Sequence, residues 1–202
     1  MKRGLLVDFG GVLTTNVFES FRAFCQEEGL EANAFLELFR HDAGARRDLR
    51  EVEVGKIDED EFARRIGGRL GIDRIENFID RLFARMAPDG EMVAAVKRAR
   101  AAGVRTGLVS NSLGSGRYDR EAFPELFDGV VISGEVGLHK PQPEIFRLGA
   151  ESIGLLPEEC VFVDDLRENC DGAEALGMTA ILHRGAESTL PQLERLLGVE
   201  LR

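Results

Sequence analysis

A set of polar side chains that could take part in chemistry falls directly after predicted strands or at predicted helix starts. They are Asp8, Ser110, Asn111, Lys140, Asp164 and Asp165. Taken singly, each is more typical of a helix cap or a turn than of a reactive centre. In an open α/β sheet, however, residues at the carboxyl ends of distant strands meet in one crevice, where ligands bind. We therefore interpret these side chains as one candidate site.

The residue types suit transfer of a phosphoryl group to a carboxylate. An aspartate such as Asp8 can attack phosphorus only when a cation suppresses the repulsion between the two anions. Asp8 and Asp165 supply the hard oxygen ligands that Mg²⁺ prefers, and the ion would keep coordination positions for water and a phosphate oxygen. The pattern therefore points to a magnesium-dependent attack by Asp8 on a phosphate ester.

The remaining groups could neutralise and orient the phosphoryl group. Lys140 would act as a point charge on the phosphoryl oxygens or on the attacking aspartate. The hydroxyl of Ser110 and the backbone N–H of Asn111 would donate hydrogen bonds to the transferred group. We expect Asp164 to pair with Lys140 or to orient metal-bound water. Substrate binding is thus assigned to Ser110, Asn111 and Lys140.

Alternating strands and helices must position these residues. The first predicted strand covers residues 4–7 and stops at a glycine turn. The other strands are predicted at 106–109, 130–132, 160–163 and 179–182, and the helices at 92–102, 143–153, 170–176 and 190–197. Strands that alternate with helices in this way form a parallel sheet covered on both faces. We predict a doubly wound α/β core.

A helical segment interrupts this core after its first strand. Residues 16–87 show helical spacing of apolar side chains and no convincing strand. We predict that this segment is a helical-bundle cap, inserted into a core made of residues 1–15 and 88–202, and that it covers the crevice. The charged clusters at 46–48 and 58–61 are interpreted as solvated helix faces.

Charge and cysteine content limit the partners. The 202 residues carry a formal net charge of −10, which disfavours general nucleic-acid binding because that binding requires clustered Lys and Arg. The three cysteines have no ligand-like spacing and are expected to be reduced thiols. The apolar stretch at 5–7 is too short for a signal peptide or a membrane span. We expect a cytoplasmic monomer or homodimer that acts on a small phosphorylated molecule and binds neither nucleic acid nor membrane.

Four ordered motifs resemble those of the haloacid dehalogenase-like hydrolase superfamily, in its capped phosphatase branch of the subfamily IA type. They are DFGGVL at 8–13, SNS at 110–112, KPQPEIF at 140–146 and VFVDDL at 161–166. The resemblance covers residues 4–184 and includes the segment after the last motif. It implies a Rossmann-like core with a helical cap, a bound Mg²⁺ ion and a phospho-aspartyl intermediate.

The resemblance also implies roles for individual residues. Asp8 matches the nucleophile, Ser110 the phosphate-binding hydroxyl and Lys140 the charge-stabilising lysine. Asp165 matches the metal ligand, with Asp164 beside it in support. These roles are carried over by analogy with the family.

The sequence departs from the family pattern at Gly10, where the phosphatases usually carry a second aspartate that serves as general acid and base. The family uses the backbone carbonyl of this position for the metal, and glycine still offers that carbonyl. Loss of a positioned general acid slows a reaction by about 10²–10⁴-fold. We therefore predict slow or leaving-group-selective turnover, unless another group such as His41 or His139 supplies the proton.

Two other functions are compatible with parts of the pattern. Carbon–halogen hydrolysis also uses an aspartate nucleophile and needs no leaving-group acid, but the dehalogenases of this superfamily need no metal and the Asp164-Asp165 pair argues for one. The alternative from another class is a catalytically silent scaffold protein that binds phosphate and metal without turnover.

Overall fold

A five-stranded, fully parallel sheet forms the centre of the computed structural model, which describes residues 1–114 and 118–202. The strands lie in the order β3-β2-β1-β4-β5. Their bounds are β1 Gly4–Val7, β2 Arg105–Ser110, β3 Gly129–Ile132, β4 Cys160–Asp164 and β5 Thr179–Leu182. The chain therefore starts in the middle of the sheet and builds outwards in both directions, as a doubly wound sheet requires.

Helices flank the sheet and fill the insertion after β1. The insertion contains α1 Val17–Glu27, α2 Ala34–His41, α3 Ala43–Glu53, α4 Glu59–Leu70 and α5 Phe78–Leu82. The core contains α6 Gly90–Ala101, α7 Phe123–Leu126, α8 Ser133–Val136, α9 Pro143–Ser152, α10 Arg167–Ala175 and α11 Ala186–Leu197. Among the described residues, no helix is long and apolar enough to cross a membrane.

The central strand β1 is buried on both of its faces. Leu5 and Val7 pack into one apolar cluster with Met92 and Leu193, while Leu6 belongs to a second cluster with Phe146 and other residues. Successive side chains of a strand point to opposite faces, so a continuous apolar run such as Leu5–Leu6–Val7 needs cover on both sides. This arrangement confirms the predicted Rossmann-like α/β class.

The inserted helices have an apolar core of their own, rich in phenylalanine. Phe24, Phe62 and Phe78 are fully buried there, and the rings of Phe24 and Phe78 meet edge-on with centroids 5.0 Å apart. The two connections to the sheet run side by side, since the N–H of Thr15 donates to the carbonyl of Ala87 at 2.8 Å. The inserted helical cap is thus confirmed, whereas the exact boundaries at 15/16 and 87/88 stay predictions.

One charged cluster differs from its sequence interpretation. Asp48 is buried, not solvated, and its carboxylate accepts hydrogen bonds from Arg65 at 2.9 Å and Arg69 at 2.5 Å. The three residues join α3 to α4 inside the cap. The interpretation of residues 46–48 as a solvated face was therefore wrong at Asp48, because helix packing places this residue between two guanidinium groups.

The last helix also begins earlier than predicted. It starts at Ala186, four residues before the predicted start at Leu190, and contains Pro191. Proline lacks a backbone N–H and usually marks a helix boundary. Here Leu190 and Leu193 are buried against the sheet, so tertiary packing stabilises the turn around the proline.

Candidate active site

Asp8 follows β1 at the centre of the sheet and lies beside the end of β4. Val7 pairs with Val163 in the parallel ladder, and the N–H of Asp8 donates to the carbonyl of Val163 at 2.9 Å. This register brings the first carboxylate of the chain next to Asp164 and Asp165, although more than 150 residues separate them in sequence. The predicted meeting of distant strand ends is therefore present.

Three carboxylates converge at this edge of the sheet. Asp8, Asp164 and Asp165 each offer an oxygen, and the three oxygens lie within 4.8 Å of one another. Oxygen donors at such spacing suit a hard divalent cation. Asp8 and Asp164 are buried and Asp165 is half-buried. With one lysine nearby, the three ionised carboxylates would carry an excess of negative charge that a cation would balance.

Lys140 joins two of these carboxylates. Its Nζ lies 2.7 Å from Oδ1 of Asp8 and 2.7 Å from Oδ2 of Asp164, and the lysine side chain is only 1% exposed. The lysine thereby fixes the position of the Asp8 carboxylate. The sequence left open whether Asp164 pairs with Lys140 or orients water, and the structure shows the pairing.

Both oxygens of Asp164 are bound by protein groups. While Oδ2 accepts from Lys140, Oδ1 accepts from the N–H of Leu166 at 2.8 Å and from the amide of Asn169 at 3.0 Å. This leaves Asp8 and Asp165 as the carboxylates better placed to hold a metal ion. Asp164 is better suited to holding Lys140 and the start of α10.

Asn111 connects the loop after β2 to the loop that carries Lys140. Its side-chain amide donates to the carbonyl of Lys140 at 3.1 Å, and its Oδ1 accepts from the Lys140 N–H at 2.8 Å. The neighbouring hydroxyl of Ser110 lies 3.0 Å from that of Tyr118. The side chain of Asn111 thus positions Lys140, a role that the sequence analysis did not foresee.

The charges of the cluster perturb one another. Burial, together with repulsion from Asp164 and Asp165, raises the pKa of Asp8 to about 7 despite the opposing effect of Lys140. Burial and the charge of Asp164 raise the pKa of Asp165 to about 6. Burial alone would lower the pKa of Lys140, but attraction to Asp164 and Asp8 outweighs it and raises that pKa. Strongly shifted groups in a cleft are typical of functional sites.

The two glycines after the nucleophile candidate have different surroundings. Gly11 has φ +75°, and a Cβ added there would lie 2.5 Å from Oδ2 of Asp165. A Cβ at Gly10 would lie 3.2 Å from a methyl group of Val17. Gly11 therefore permits the close approach of Asp165, while Gly10 leaves little room on the cap side.

Each of the two histidines proposed as substitute acids has one ring nitrogen close to another protein group. His41 is exposed and lies 3.2 Å from Glu37 on its own helix, and Nδ1 of His139 lies 2.9 Å from the Lys140 carbonyl. A group that the sequence analysis missed is Glu53, at the end of α3. In the sequence, Glu53 is recognisable only as an acidic residue of the cap two positions before Gly55.

The chain matches the family model described as haloacid dehalogenase-like hydrolase over residues 2–177. It is 32% identical over 153 residues to the glyceraldehyde 3-phosphate phosphatase of Methanopyrus kandleri, covering 69% of this chain and 66% of the relative. It also matches larger proteins, of which it spans less than two fifths. One is acyl-CoA dehydrogenase family member 10 of Mus musculus, 37% identical over 112 residues, covering 54% of this chain and 10% of that protein.

Solved structures share the fold. A predicted HAD-like family hydrolase from Porphyromonas gingivalis superposes with a TM-score of 0.74 at 27% identity, covering 98% of each chain. A magnesium complex of the HAD family enzyme bt-2542 from Bacteroides thetaiotaomicron gives a TM-score of 0.69 at 22% identity, covering 96% of this chain and 98% of that one. Both similarities cover nearly the whole of this chain.

Proposed function

Because the chain belongs to the haloacid dehalogenase-like hydrolases, we propose that it is a Mg²⁺-dependent phosphatase of a small phosphorylated metabolite. Phosphatases among its relatives, such as the glyceraldehyde 3-phosphate phosphatase, support this substrate class. The observation that carries the proposal is the contact of Lys140 with Asp8 and Asp164, beside a second carboxylate at Asp165. This arrangement combines a nucleophile, a fixed positive charge and oxygen donors for a metal.

The acidic residues fit a magnesium site. Asp8 and Asp165 would hold the ion with the backbone carbonyl of Gly10, because both oxygens of Asp164 are bound by protein groups. When bound, Mg²⁺ would neutralise the carboxylates and polarise a phosphoryl oxygen. It would also favour the charged form of Asp8, whose pKa burial raises to about 7, since an adjacent cation lowers the pKa of a carboxylate.

In the proposed reaction, an oxygen of Asp8 attacks phosphorus while the bond from phosphorus to the leaving oxygen breaks. Lys140 holds the attacking carboxylate and offsets the negative charge of the phosphoryl group. The hydroxyl of Ser110 and the backbone N–H of Asn111 donate hydrogen bonds to the phosphoryl oxygens. Water then cleaves the aspartyl phosphate, which releases inorganic phosphate and restores Asp8.

The four motifs alone supply no general acid, since position 10 is glycine. Turnover of esters with poor leaving groups therefore depends on a proton donor from elsewhere in the chain. With no such donor, alkyl phosphates would be hydrolysed about 10²–10⁴-fold more slowly, whereas aryl and acyl phosphates would be less affected.

A phosphatase screen with and without Mg²⁺ tests the proposal. The substrates are p-nitrophenyl phosphate and a panel of sugar and acyl phosphates, and the variants are Asp8→Asn and, as a control on the exposed face of α4, Asp60→Asn. We expect activity that requires Mg²⁺, disappears in Asp8→Asn and persists in Asp60→Asn. Turnover by Asp8→Asn equal to that of the wild type would refute the assignment of the nucleophile.

The same screen separates the alternative functions. Chloride release from a 2-haloacid without Mg²⁺ would identify a dehalogenase instead. Binding of beryllofluoride without hydrolysis of any phosphate ester would identify a silent scaffold.

A further inference from the structure

The end of α3 is fixed against the loops that follow β2 and β3. The hydroxyl of Ser133 donates to the backbone carbonyl of Glu53 at 2.5 Å and accepts from the N–H of Ser112 at 2.9 Å. Ser112 lies two residues after Ser110 of the candidate site. The last residue of the cap helix is therefore held at a defined position beside the crevice.

A close backbone contact secures the same junction. Gly55 has φ +71°, and a Cβ added there would lie 2.9 Å from the carbonyl oxygen of Gly134. Only a residue without a side chain allows this approach. Glu53, two residues before this glycine, is thus held at the boundary between the cap and the core by its own backbone carbonyl and by the contact at Gly55.

Charged groups of both the core and the cap act on the carboxyl group of Glu53. Lys140 and Asp8 belong to the candidate site, Glu168 lies in the first turn of α10, and Arg50 lies one turn earlier on α3. Burial raises the pKa of Glu53 to about 7; Lys140 and Arg50 oppose this rise, and Glu168 and Asp8 add to it. A substantial fraction of Glu53 is consequently protonated at neutral pH in the metal-free protein. The negative charge of a bound phosphoryl group would increase that fraction, and a bound Mg²⁺ ion would oppose the increase.

We propose that Glu53 supplies the proton that the family obtains from the residue replaced here by Gly10. The inference rests on the proposed phosphatase function. As Asp8 forms its bond to phosphorus and the ester bond breaks, the carboxyl proton of Glu53 passes to the leaving oxygen and yields a neutral alcohol. In the second step the Glu53 carboxylate takes a proton from the attacking water, whose oxygen bonds to phosphorus as the Asp8 ester breaks. Phosphate is released, and both residues return to their starting states.

The Glu53→Gln variant tests this role with a graded series of leaving groups. The probes are substituted aryl phosphates of increasing phenol pKa and one alkyl phosphate, glycerol 3-phosphate, each with Mg²⁺. Glutamine keeps the size of the side chain and the backbone bond to Ser133. We expect kcat/KM, which includes release of the leaving group but not hydrolysis of the shared aspartyl phosphate, to fall about 10²-fold or more for the alkyl phosphate. For p-nitrophenyl phosphate, whose anion leaves without a proton, it should fall only a few-fold.

The matched control is Glu51→Gln on the same helix. Glu51 pairs with Arg65 inside the cap at 3.1 Å, so its substitution is expected to leave the leaving-group dependence unchanged. In the wild type, kcat/KM for the alkyl phosphate should decline as the pH rises through about 7 relative to kcat/KM for p-nitrophenyl phosphate, because kcat/KM reports the pKa of the acid in the free enzyme. Glu53→Gln should abolish that difference.

A second variant keeps the inference falsifiable if Glu53→Gln is poorly folded. Gly10→Asp restores the carboxyl group at the usual position, and Val17 needs to move by only a few tenths of an ångström to admit its Cβ. In the wild-type background it should change kcat/KM for the alkyl phosphate by less than about tenfold, because Glu53 already supplies the proton; a rise of about 10²-fold or more would overturn the inference. In the Glu53→Gln background it should recover at least about tenfold in kcat/KM on the same substrate. An unaltered leaving-group dependence of kcat/KM in Glu53→Gln, or equal losses of kcat/KM on every substrate, would overturn the role of Glu53 as the acid while leaving the phosphatase function intact. Failure of the wild type to hydrolyse any phosphate ester would instead remove the function and this inference together.

Discussion

Gly11 and Asp165 are in direct contact: a Cβ at Gly11 would lie 2.5 Å from Oδ2 of Asp165. The glycine follows the nucleophile candidate by three residues, and the aspartate is the second carboxylate proposed to hold Mg²⁺. Any side chain at position 11 would displace that carboxylate. The glycine-rich turn therefore shapes the proposed metal site as well as ending the first strand.

The Gly11→Ala variant is expected to lose its response to magnesium. The wild type should show a rise in melting temperature on addition of Mg²⁺, because a ligand that binds the native state stabilises it. In Gly11→Ala this rise should largely disappear, since the displaced Asp165 cannot share the ion with Asp8. Differential scanning fluorimetry across a Mg²⁺ titration measures the effect.

Gly29→Ala provides the matched control for this experiment. Gly29 has φ +73°, close to the +75° of Gly11, yet a Cβ there would meet nothing within 4 Å. Both variants should share a backbone strain of about 1–2 kcal/mol, and Gly29→Ala should keep the full magnesium response. If both variants responded to Mg²⁺ like the wild type, the proposed use of Asp165 as a ligand would be contradicted.

Replacing Lys140 with methionine should reduce activity while it largely preserves the shape of the site. The substitution keeps an unbranched side chain in a position that is 1% exposed and removes the ammonium that lies 2.7 Å from both Asp8 and Asp164. The phosphoryl group then loses a fixed charge, and we expect kcat for p-nitrophenyl phosphate to fall about 10²–10³-fold. Lys97→Met, at a half-exposed lysine paired with Glu125, serves as the control and should retain activity. A loss of less than threefold in Lys140→Met would contradict the proposed role.

Asp165→Asn should stabilise the metal-free protein at neutral pH. The pKa of Asp165 is raised from 3.8 to about 6 in the folded protein, so the folded state binds the proton more tightly than the unfolded state. The stability that this protonated carboxyl contributes is fully present below about pH 4 and is lost as the pH rises through about 6. In the absence of Mg²⁺, the free energy of unfolding of Asp165→Asn should therefore exceed that of the wild type above pH 6. Urea unfolding at pH 4 and pH 8 measures the difference in the free energy of unfolding between the variant and the wild type. This difference should be smaller at pH 4 than at pH 8. A variant less stable than the wild type at pH 8 would refute the prediction.

Much of the sheet and the acidic cluster could be predicted from the sequence because both depend on local patterns. Apolar runs that stop at Asp8 and Asp164 define strand ends, and parallel pairing makes those ends neighbours. The fold class and the family were predicted correctly on this basis. By contrast, Glu53 lies on the cap, and the effect of Lys140 on its pKa depends on how the cap helices sit on the core, which periodicity does not reveal.

The same limit explains the charge cluster in the cap. Residues 46–48 and 58–61 look alike as sequence, since both are runs of charged residues on predicted helices. Only the packing of α3 against α4 decides that Asp48 is buried while Asp58 and Asp60 are exposed. Charge patterns predict which helix faces can meet water, but tertiary contacts decide which charged residues do.

Asp48→Asn should destabilise the cap. The Asp48 side chain is 6% exposed and receives hydrogen bonds from both Arg65 and Arg69, and hydrogen bonds to charged groups contribute about 1.5–3 kcal/mol each. Asparagine keeps one acceptor oxygen but turns an N–H₂ group toward a guanidinium, so we expect a loss of about 2–3 kcal/mol in the free energy of unfolding. Glu51 is a more exposed partner of the same Arg65: its side chain is 31% exposed, and its Oε2 lies 3.1 Å from the guanidinium. Glu51→Gln should therefore lower the free energy of unfolding by less than about 1 kcal/mol. Urea unfolding of the two variants measures this contrast, and equal losses would show that burial does not set the strength of the Arg65 interactions.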